Sequence, residues 1–393
     1  MRPPSRTLAG RFHSEATLDI PLVWPRDSPD CSEVVLKSLD AARHCGSVTL
    51  PSAPFDDITD AQLLPRVIHL GGNLYGAVFT LMKLVPARHI LRTAVDSGEI
   101  GPRTLIVETT SGTFGLALAM QAALLDRDLV LVSDPVIDAA LHRRLTDLGA
   151  RVDICPEPAE VGGYQEARLR RVAEIRASHP DTFCPEQYTN PENPRSYRIV
   201  ADHLRGTLGE VDCVVGPVGS GGSMCGTVGA LRASSSRDVR AIGVDTHDSV
   251  LFGHSDGPRT LRGLGNSLMP ANLDHTVFDE VHWTDAAEAF AAARALHRGH
   301  ALFQGPTSGA AYRVARWWAE RNPDARCVVM LPDEGYRYQD TLYDDGWLAA
   351  QGLDKPDAPL DPREVASPRD AGSSWDRFAW DRRTYEDVVG EAR

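Results

Sequence analysis

The sequence predicts an α/β fold of two doubly wound lobes with mostly parallel sheets. Three observations predict it. Short apolar, β-branched runs alternate with helical patterns along most of the chain. Two glycine- and hydroxyl-rich loops, around Gly112 and Gly219, each follow a strand pattern and open a helix pattern. The length of 393 residues accommodates two such lobes with a cleft between them. Strands separated by helices imply crossover connections, and therefore parallel pairing.

Taken in order, residues 1–57 are rich in Pro, Ser and Asp and read as an N-terminal extension. An apolar stretch from Arg66 to Met82 leads to Lys83 and a helical pattern through Ile90, Leu91, Ala94 and Val95, stopped by Gly98. Thr104–Val107 reads as a buried strand, and Leu116 to Leu125 as a helix. Strand Leu129–Val132, helix Ala139–Leu148 and strand Val152–Ile154 follow, then a charged helix over Tyr164–Ala177. A polar loop holds Gln187-Tyr-Thr-Asn190, before a helix from Ser196 to Leu204 and strand Cys213–Val215. The glycine loop at 219–226 runs into a helix ending near Ala233, then strand Ala241–Val244. Helices Ala286–Leu296 and Ala310–Glu320 precede a closing strand, Cys327–Leu331. Residues beyond 353 turn polar and read as a tail whose Trp375 and Trp380 are placed to dock on the body.

Bulk properties narrow the function. A net charge of −13 argues against nucleic acid or an acidic membrane as partner. No apolar run approaches the length of a membrane span, and the N-terminus lacks the apolar core of a signal peptide. The seven cysteines are scattered with no Cys-x-x-Cys pair, which predicts neither a zinc site nor a disulfide framework and suits a reduced, cytoplasmic setting. Of 41 Lys and Arg residues only Lys37, Lys83 and Lys355 are lysine. A lysine retained in apolar surroundings therefore invites a chemical reason.

Four stretches carry candidate chemistry. Glu108-Thr-Thr-Ser-Gly-Thr-Phe-Gly115 places hydroxyls and free N–H groups at a helix start, a natural anion site. Gly216-Pro-Val-Gly-Ser-Gly-Gly-Ser-Met-Cys-Gly226 lets backbone and the Ser220 and Ser223 hydroxyls approach a phosphate. It lacks the Gly-Lys-Ser/Thr of a nucleotide P-loop, and Met224 breaks the dinucleotide spacing, so a monophosphate is expected. Gly305-Pro-Thr-Ser-Gly-Ala-Ala311 again opens a helix with hydroxyls. Lys83 lies within Phe79-Thr-Leu-Met-Lys-Leu-Val-Pro86, where desolvation lowers an amine pKa and makes a nucleophile. Each loop alone also admits a purely structural reading, as a capped helix start or a tightly packed turn. Together they describe a pyridoxal-phosphate site with no metal.

In this order, the motifs resemble the cysteine synthase/cystathionine β-synthase family, the β-substituting pyridoxal-phosphate enzymes of fold type II, whose architecture is like that of the tryptophan synthase β-subunit. The resemblance spans roughly residues 64–350. It implies Lys83 as the Schiff-base lysine and general base, and Gly219, Ser220, Gly221, Gly222 and Ser223 as the cofactor-phosphate loop. It further implies Thr307 facing the pyridine nitrogen, and Thr113 touching the cofactor where the family has asparagine. Thr110, Ser111, Gly112, Thr113 and Phe114 correspond to the substrate-carboxylate loop, and Leu331-Pro-Asp-Glu-Gly-Tyr-Arg-Tyr338 to the closing-strand motif. The chain departs from the pattern at Lys83-Leu-Val, where Lys-Asp-Arg is usual, and at Phe114, where a hydroxyl residue is usual.

Met82-Lys-Leu-Val-Pro-Ala87, Gly162-Gly-Tyr164, Gln187-Tyr-x-Asn190, Gly243-Val-Asp245 and Tyr343-Asp-Asp-Gly-Trp347 are most similar to the branch making 2,3-diaminopropionate precursors. That branch implies Tyr164 and Gln187 at the substrate site. It also implies β-replacement on an activated serine through an aminoacrylate, with glutamate's amine as nucleophile. Three alternatives stand beside it: a cysteine synthase using sulfide, a serine/threonine-type lyase, and a catalytically silent ligand-binding relative. The resemblance divides the chain into an extension (1–57), a larger cofactor lobe (58–91 and 201–352), a smaller mobile substrate-loop lobe (92–200) and a tail (353–393). It implies a homodimer acting on small amino acids.

Overall fold

The computed structural model describes residues 54–110, 112–160, 163–261 and 263–390. Most of the expected N-terminal extension lies outside the described residues, as do Ser111 and Gly162. Among the described residues twelve strands follow in chain order. They are β1 (Arg66–His69), β2 (Leu74–Val78), β3 (Leu105–Thr109), β4 (Leu129–Ser133), β5 (Arg151–Ile154) and β6 (Thr182–Phe183). The second half holds β7 (Cys213–Pro217), β8 (Arg240–Asp245), β9 (Glu280–Thr284), β10 (Cys327–Leu331), β11 (Arg363–Glu364) and β12 (Trp375–Ala379).

Among the described residues they form a larger sheet, ordered β1-β2-β10-β7-β8-β9-β12-β11, and a smaller one, β5-β4-β3-β6. The smaller sheet is parallel throughout, as is the centre of the larger one from β2 to β9. Antiparallel pairing enters at the two sides, where β1 joins β2 and β12 joins β9.

The central strands β4, β7 and β10 are buried along their whole length because helices cover both faces. Along β7, Val214 enters a core with Leu204 and Val228, while Cys213 and Val215 enter the opposite core with Ala311, Val314 and Trp318. In the smaller sheet, Ile106 and Leu131 pack under the helix Thr113–Leu125, and Val107, Val130 and Val132 meet Val172 and Ile175 of the helix Gly163–Ser178. This is the doubly wound arrangement that the alternation of patterns predicts.

Three departures from the sequence reading have local causes. The apolar stretch Arg66–Met82 forms a hairpin, pairing Arg66 with Val78, before reaching Lys83. The helix expected over Ser196–Leu204 is two: Glu192–Ser196, which contains Pro194, and Arg198–Leu208. The segment read as a polar tail is built into the larger sheet. In β12 the charged Asp376 and Arg377 sit between buried Trp375 and Phe378, which masks the apolar signal.

Burial of that segment is satisfied by ion pairs. Asp376 is fully buried and meets Arg363 at 2.7 Å, while Glu280 of β9 holds Arg240 at 2.5 Å and Arg377 at 2.6 Å. Burial pushes Glu280 up, but His282 and the two guanidiniums more than offset this and hold it at about 2. Trp375 donates its indole N–H to His282 Nδ1 at 3.1 Å and lies 4.5 Å under the Arg313 guanidinium. Trp375→Ala is therefore expected to cost about 3–5 kcal/mol, read from the shift of a urea unfolding midpoint. A cost under about 1 kcal/mol would show that the segment is not integral to the sheet.

Candidate active site

Loops at the carboxyl ends of strands in both sheets line one cavity of about 540 Å³, the place where open α/β sheets bind ligands. Lys83 enters it from the N-terminal end of the helix Leu84–Asp96. Its backbone is anchored on both sides: Met82 donates to Pro332 O at 2.8 Å, and the Lys83 carbonyl accepts from Ala87 at 3.2 Å. Part of the side chain opens onto the cavity, yet the amine is enclosed, and burial lowers its pKa to about 8. Among the described residues its hydrogen-bond partner is Ser220 Oγ, at 3.4 Å.

The glycine loop leaves β7 at Pro217 and enters the helix Gly222–Ser234. Gly219, Ser220 and Ser223 line the cavity, whereas Gly221 and Gly222 lie behind it and let the core approach. Gly221 has φ +81°, and a Cβ there would stand 2.7 Å from Leu273 Cα. A Cβ on Gly222 would stand 2.2 Å from Asn193 Oδ1. Ser220 is held between Lys83 and Asn193, whose Nδ2 donates to it at 3.3 Å.

Opposite lies the loop from β3. Expected hydroxyl capping is replaced by Gly112 at the cap position with no side-chain cap. Thr110 Oγ1 instead accepts from the N–H groups of Gly112 and Gly115, both at 3.2 Å, and so curls the loop. Thr110, Gly112, Thr113 and Phe114 line the cavity, with Phe114 also packed in the core of the smaller sheet. Beneath them Glu108, buried, accepts from Thr109 N–H at 2.8 Å and Gln187 N–H at 3.3 Å. Burial raises its pKa to about 7. Gln187 and Tyr164 both line the cavity, and the Tyr164 hydroxyl donates to Pro156 O at 3.4 Å. Thr307, in the first turn of the helix Pro306–Arg321, faces in from the larger sheet.

Several cavity residues carried no sequence signal strong enough to be singled out. Arg168 pairs with Asp134 at 2.8 Å, Arg259 with Asp256 at 2.9 Å, and Arg337 stands beside Asp333. Burial raises Asp333 to about 6, and its Oδ2 accepts from the Tyr338 hydroxyl at 2.9 Å. Arg168 was within reach of sequence reasoning, because Tyr164 and Arg168 are four apart on one helix and share a face. The partners Asp134 and Arg168, from different elements, were not.

A family model described as "Pyridoxal-phosphate dependent enzyme" matches residues 82–333. The N-(2-amino-2-carboxyethyl)-L-glutamate synthase of Ralstonia nicotianae is 35% identical over 267 residues, covering 67% of this chain and 79% of the relative. The chain belongs to the pyridoxal-phosphate dependent enzymes. A second protein so named, from Cupriavidus metallidurans, is 34% identical over 301 residues, covering 73% of this chain and 88% of the relative. Among solved structures, an O-acetylserine-dependent cystathionine β-synthase from Helicobacter pylori matches with TM-score 0.68 and 25% identity, covering 74% of this chain and 98% of that one.

The cavity fits the cofactor of this family. An enclosed amine, a loop that only glycine can form at Gly221, and a helix N-terminus meet in one place. At pH 8 about half of a lysine with that pKa is neutral, against well under a tenth for an ordinary one. The rate at which apoprotein takes up pyridoxal phosphate is therefore expected to climb with pH and level off above about 8. Stopped-flow absorbance checks this, and a rate still climbing steeply at pH 9.5 would refute it.

Proposed function

We propose that the protein is a β-replacement synthase that joins the amino group of glutamate to the β-carbon of O-phospho-L-serine, releasing phosphate. The observation that carries this reading is one cavity holding the enclosed Lys83 amine, two helix-start anion loops and three arginines. The Ralstonia and Cupriavidus relatives bear the name of that glutamate-using activity. Bound pyridoxal phosphate supplies the electron sink that makes the serine α-proton acidic.

The chain's residues divide the remaining tasks. Lys83 would anchor the cofactor through its amine, and the same amine would serve as general base for the α-proton and return a proton to the α-carbon. Gly219, Ser220 and Ser223, with the N–H groups of the following helix, hold the cofactor phosphate. Thr307, which lines the cavity, would offer the pyridine nitrogen a hydroxyl rather than a carboxylate and so would not favour protonation of the ring. Thr110, Gly112 and Thr113, with Ser111 of the same loop, receive the substrate carboxylate. Tyr164 and Gln187, which line the cavity, would contact the incoming amino acid. Arg168, Arg259 and Arg337 stand in the cavity beside Asp134, Asp256 and Asp333, and by exchanging these partners their guanidiniums would meet a phosphorylated substrate and a dicarboxylate nucleophile.

A sulfide nucleophile would need neither this volume nor these cations. In this reading the smaller sheet carries the mobile substrate-loop lobe (92–200) and the larger sheet the cofactor lobe (58–91 and 201–352). The working form is a cytoplasmic homodimer, which the unpaired cysteines among the described residues suit.

Phosphate release from O-phosphoserine is expected to depend on glutamate. With glutamate, kcat/KM is expected to exceed that of O-acetylserine with sulfide by about a hundredfold or more. The opposite preference would make the protein a cysteine synthase. Pyruvate formed without a second substrate would make it a lyase, and failure to take up pyridoxal phosphate would make it a silent relative.

A further inference from the structure

Behind the glycine loop, a chain of buried hydrogen bonds links the two sides of the cavity. Glu108 holds the Gln187 N–H, and the Gln187 carbonyl accepts from Asn193 Nδ2 at 2.6 Å and Asn272 Nδ2 at 3.1 Å. Asn193 is 1% exposed, and its Nδ2 also reaches Ser220 Oγ at 3.3 Å. The Gln187 carbonyl fixes which way this carboxamide faces. A flip would set Oδ1 against the Gln187 carbonyl oxygen, which cannot donate, and lose that bond. Oδ1 has no partner among the described residues and occupies the space that glycine at 222 leaves open.

Ser220 Oγ thus accepts from two donors, Asn193 Nδ2 and Lys83 Nζ. A hydroxyl has two lone pairs and one proton. With both lone pairs engaged, the proton turns to the remaining direction, and Ser220 lines the cavity. When Lys83 moves away to react, Asn193 still occupies one lone pair.

We propose that Asn193 is a positioning residue that holds Ser220 as a hydrogen-bond donor toward a phosphate monoester in the cavity. The role rests on the reading of the glycine loop as a phosphate cradle and is independent of the nucleophile. Asn193 itself does not line the cavity. It acts by denying Ser220 the alternative of donating into the protein.

The test is a double-mutant cycle on full-length protein stripped of cofactor, with affinity measured for pyridoxal phosphate and for pyridoxal, which lacks the phosphate. Asn193→Ala and Ser220→Ala are each expected to weaken pyridoxal phosphate binding about tenfold and pyridoxal binding less than about twofold. In the Ser220→Ala background, Asn193→Ala is expected to add less than about twofold. The proposal is overturned if Asn193→Ala weakens both ligands alike, or if its effect persists undiminished without Ser220. Should Asn193→Ala not fold, Asn193→Ser, too short to bridge Gln187 and Ser220, enters the same cycle. Wild-type protein that binds both ligands equally would overturn the cradle reading itself, and the proposal with it.

Discussion

Lys83→Ala is expected to lower turnover about a thousandfold or more and to abolish the visible absorption of the lysine-bound cofactor. Borohydride should no longer fix the cofactor to the chain. The loss has to be separated from unfolding, and the electrostatics of the site allow it. Burial holds the folded-state pKa of Lys83 at about 8, below the ordinary 10.5. The lysine's contribution to stability is therefore full above the ordinary value and is lost as pH falls through about 8. Below that, the folded apoprotein carries a charged amine away from water. Lys83→Ala apoprotein should thus melt no lower than wild type at pH 7, and any advantage should shrink as pH rises toward 10. Retained turnover, or a variant that melts well below wild type, would count against the assignment.

Gly221→Ala is expected to destabilise the protein by about 2–5 kcal/mol and to abolish cofactor binding. A positive φ costs an L-residue roughly 1–2 kcal/mol, and overlap with packed backbone adds about 1–3 kcal/mol. Gly98 provides the control. It has the same φ of +81° but nothing within 4 Å of the added Cβ. Gly98→Ala should therefore show only the backbone component, and the difference in unfolding midpoint isolates the contact with Leu273 and Asn272. Equal effects at the two positions would mean that the loop can shift to accommodate a side chain.

The cleft was legible because its parts are local. A lysine among apolar residues, a strand followed by Thr-Thr-Ser-Gly, and a strand followed by Gly-Ser-Gly-Gly are patterns within a few residues of each other. Hydrogen bonding and burial act on them at short range. The central strands were legible for the same reason. Sheets covered on both faces need uninterrupted apolar runs, and β4, β7 and β10 have them.

What escaped depended on partners far along the chain. β12 looks polar until Glu280 and Arg363 receive its charges, and Trp375 finds His282 from 93 residues away. Asn193 looks like a turn residue in Asn-Pro-Glu-Asn-Pro until folding sets its carboxamide between Gln187 and Ser220. The sequence by itself determined the alternation of strands and helices, the order of the loops, and the lysine they converge on. Tertiary structure alone decided which carboxylates meet which arginines, which glycines face the cavity, and which side chains bracket the Ser220 hydroxyl. Those outcomes depend on distance and solvent exclusion between segments that the chain order keeps apart.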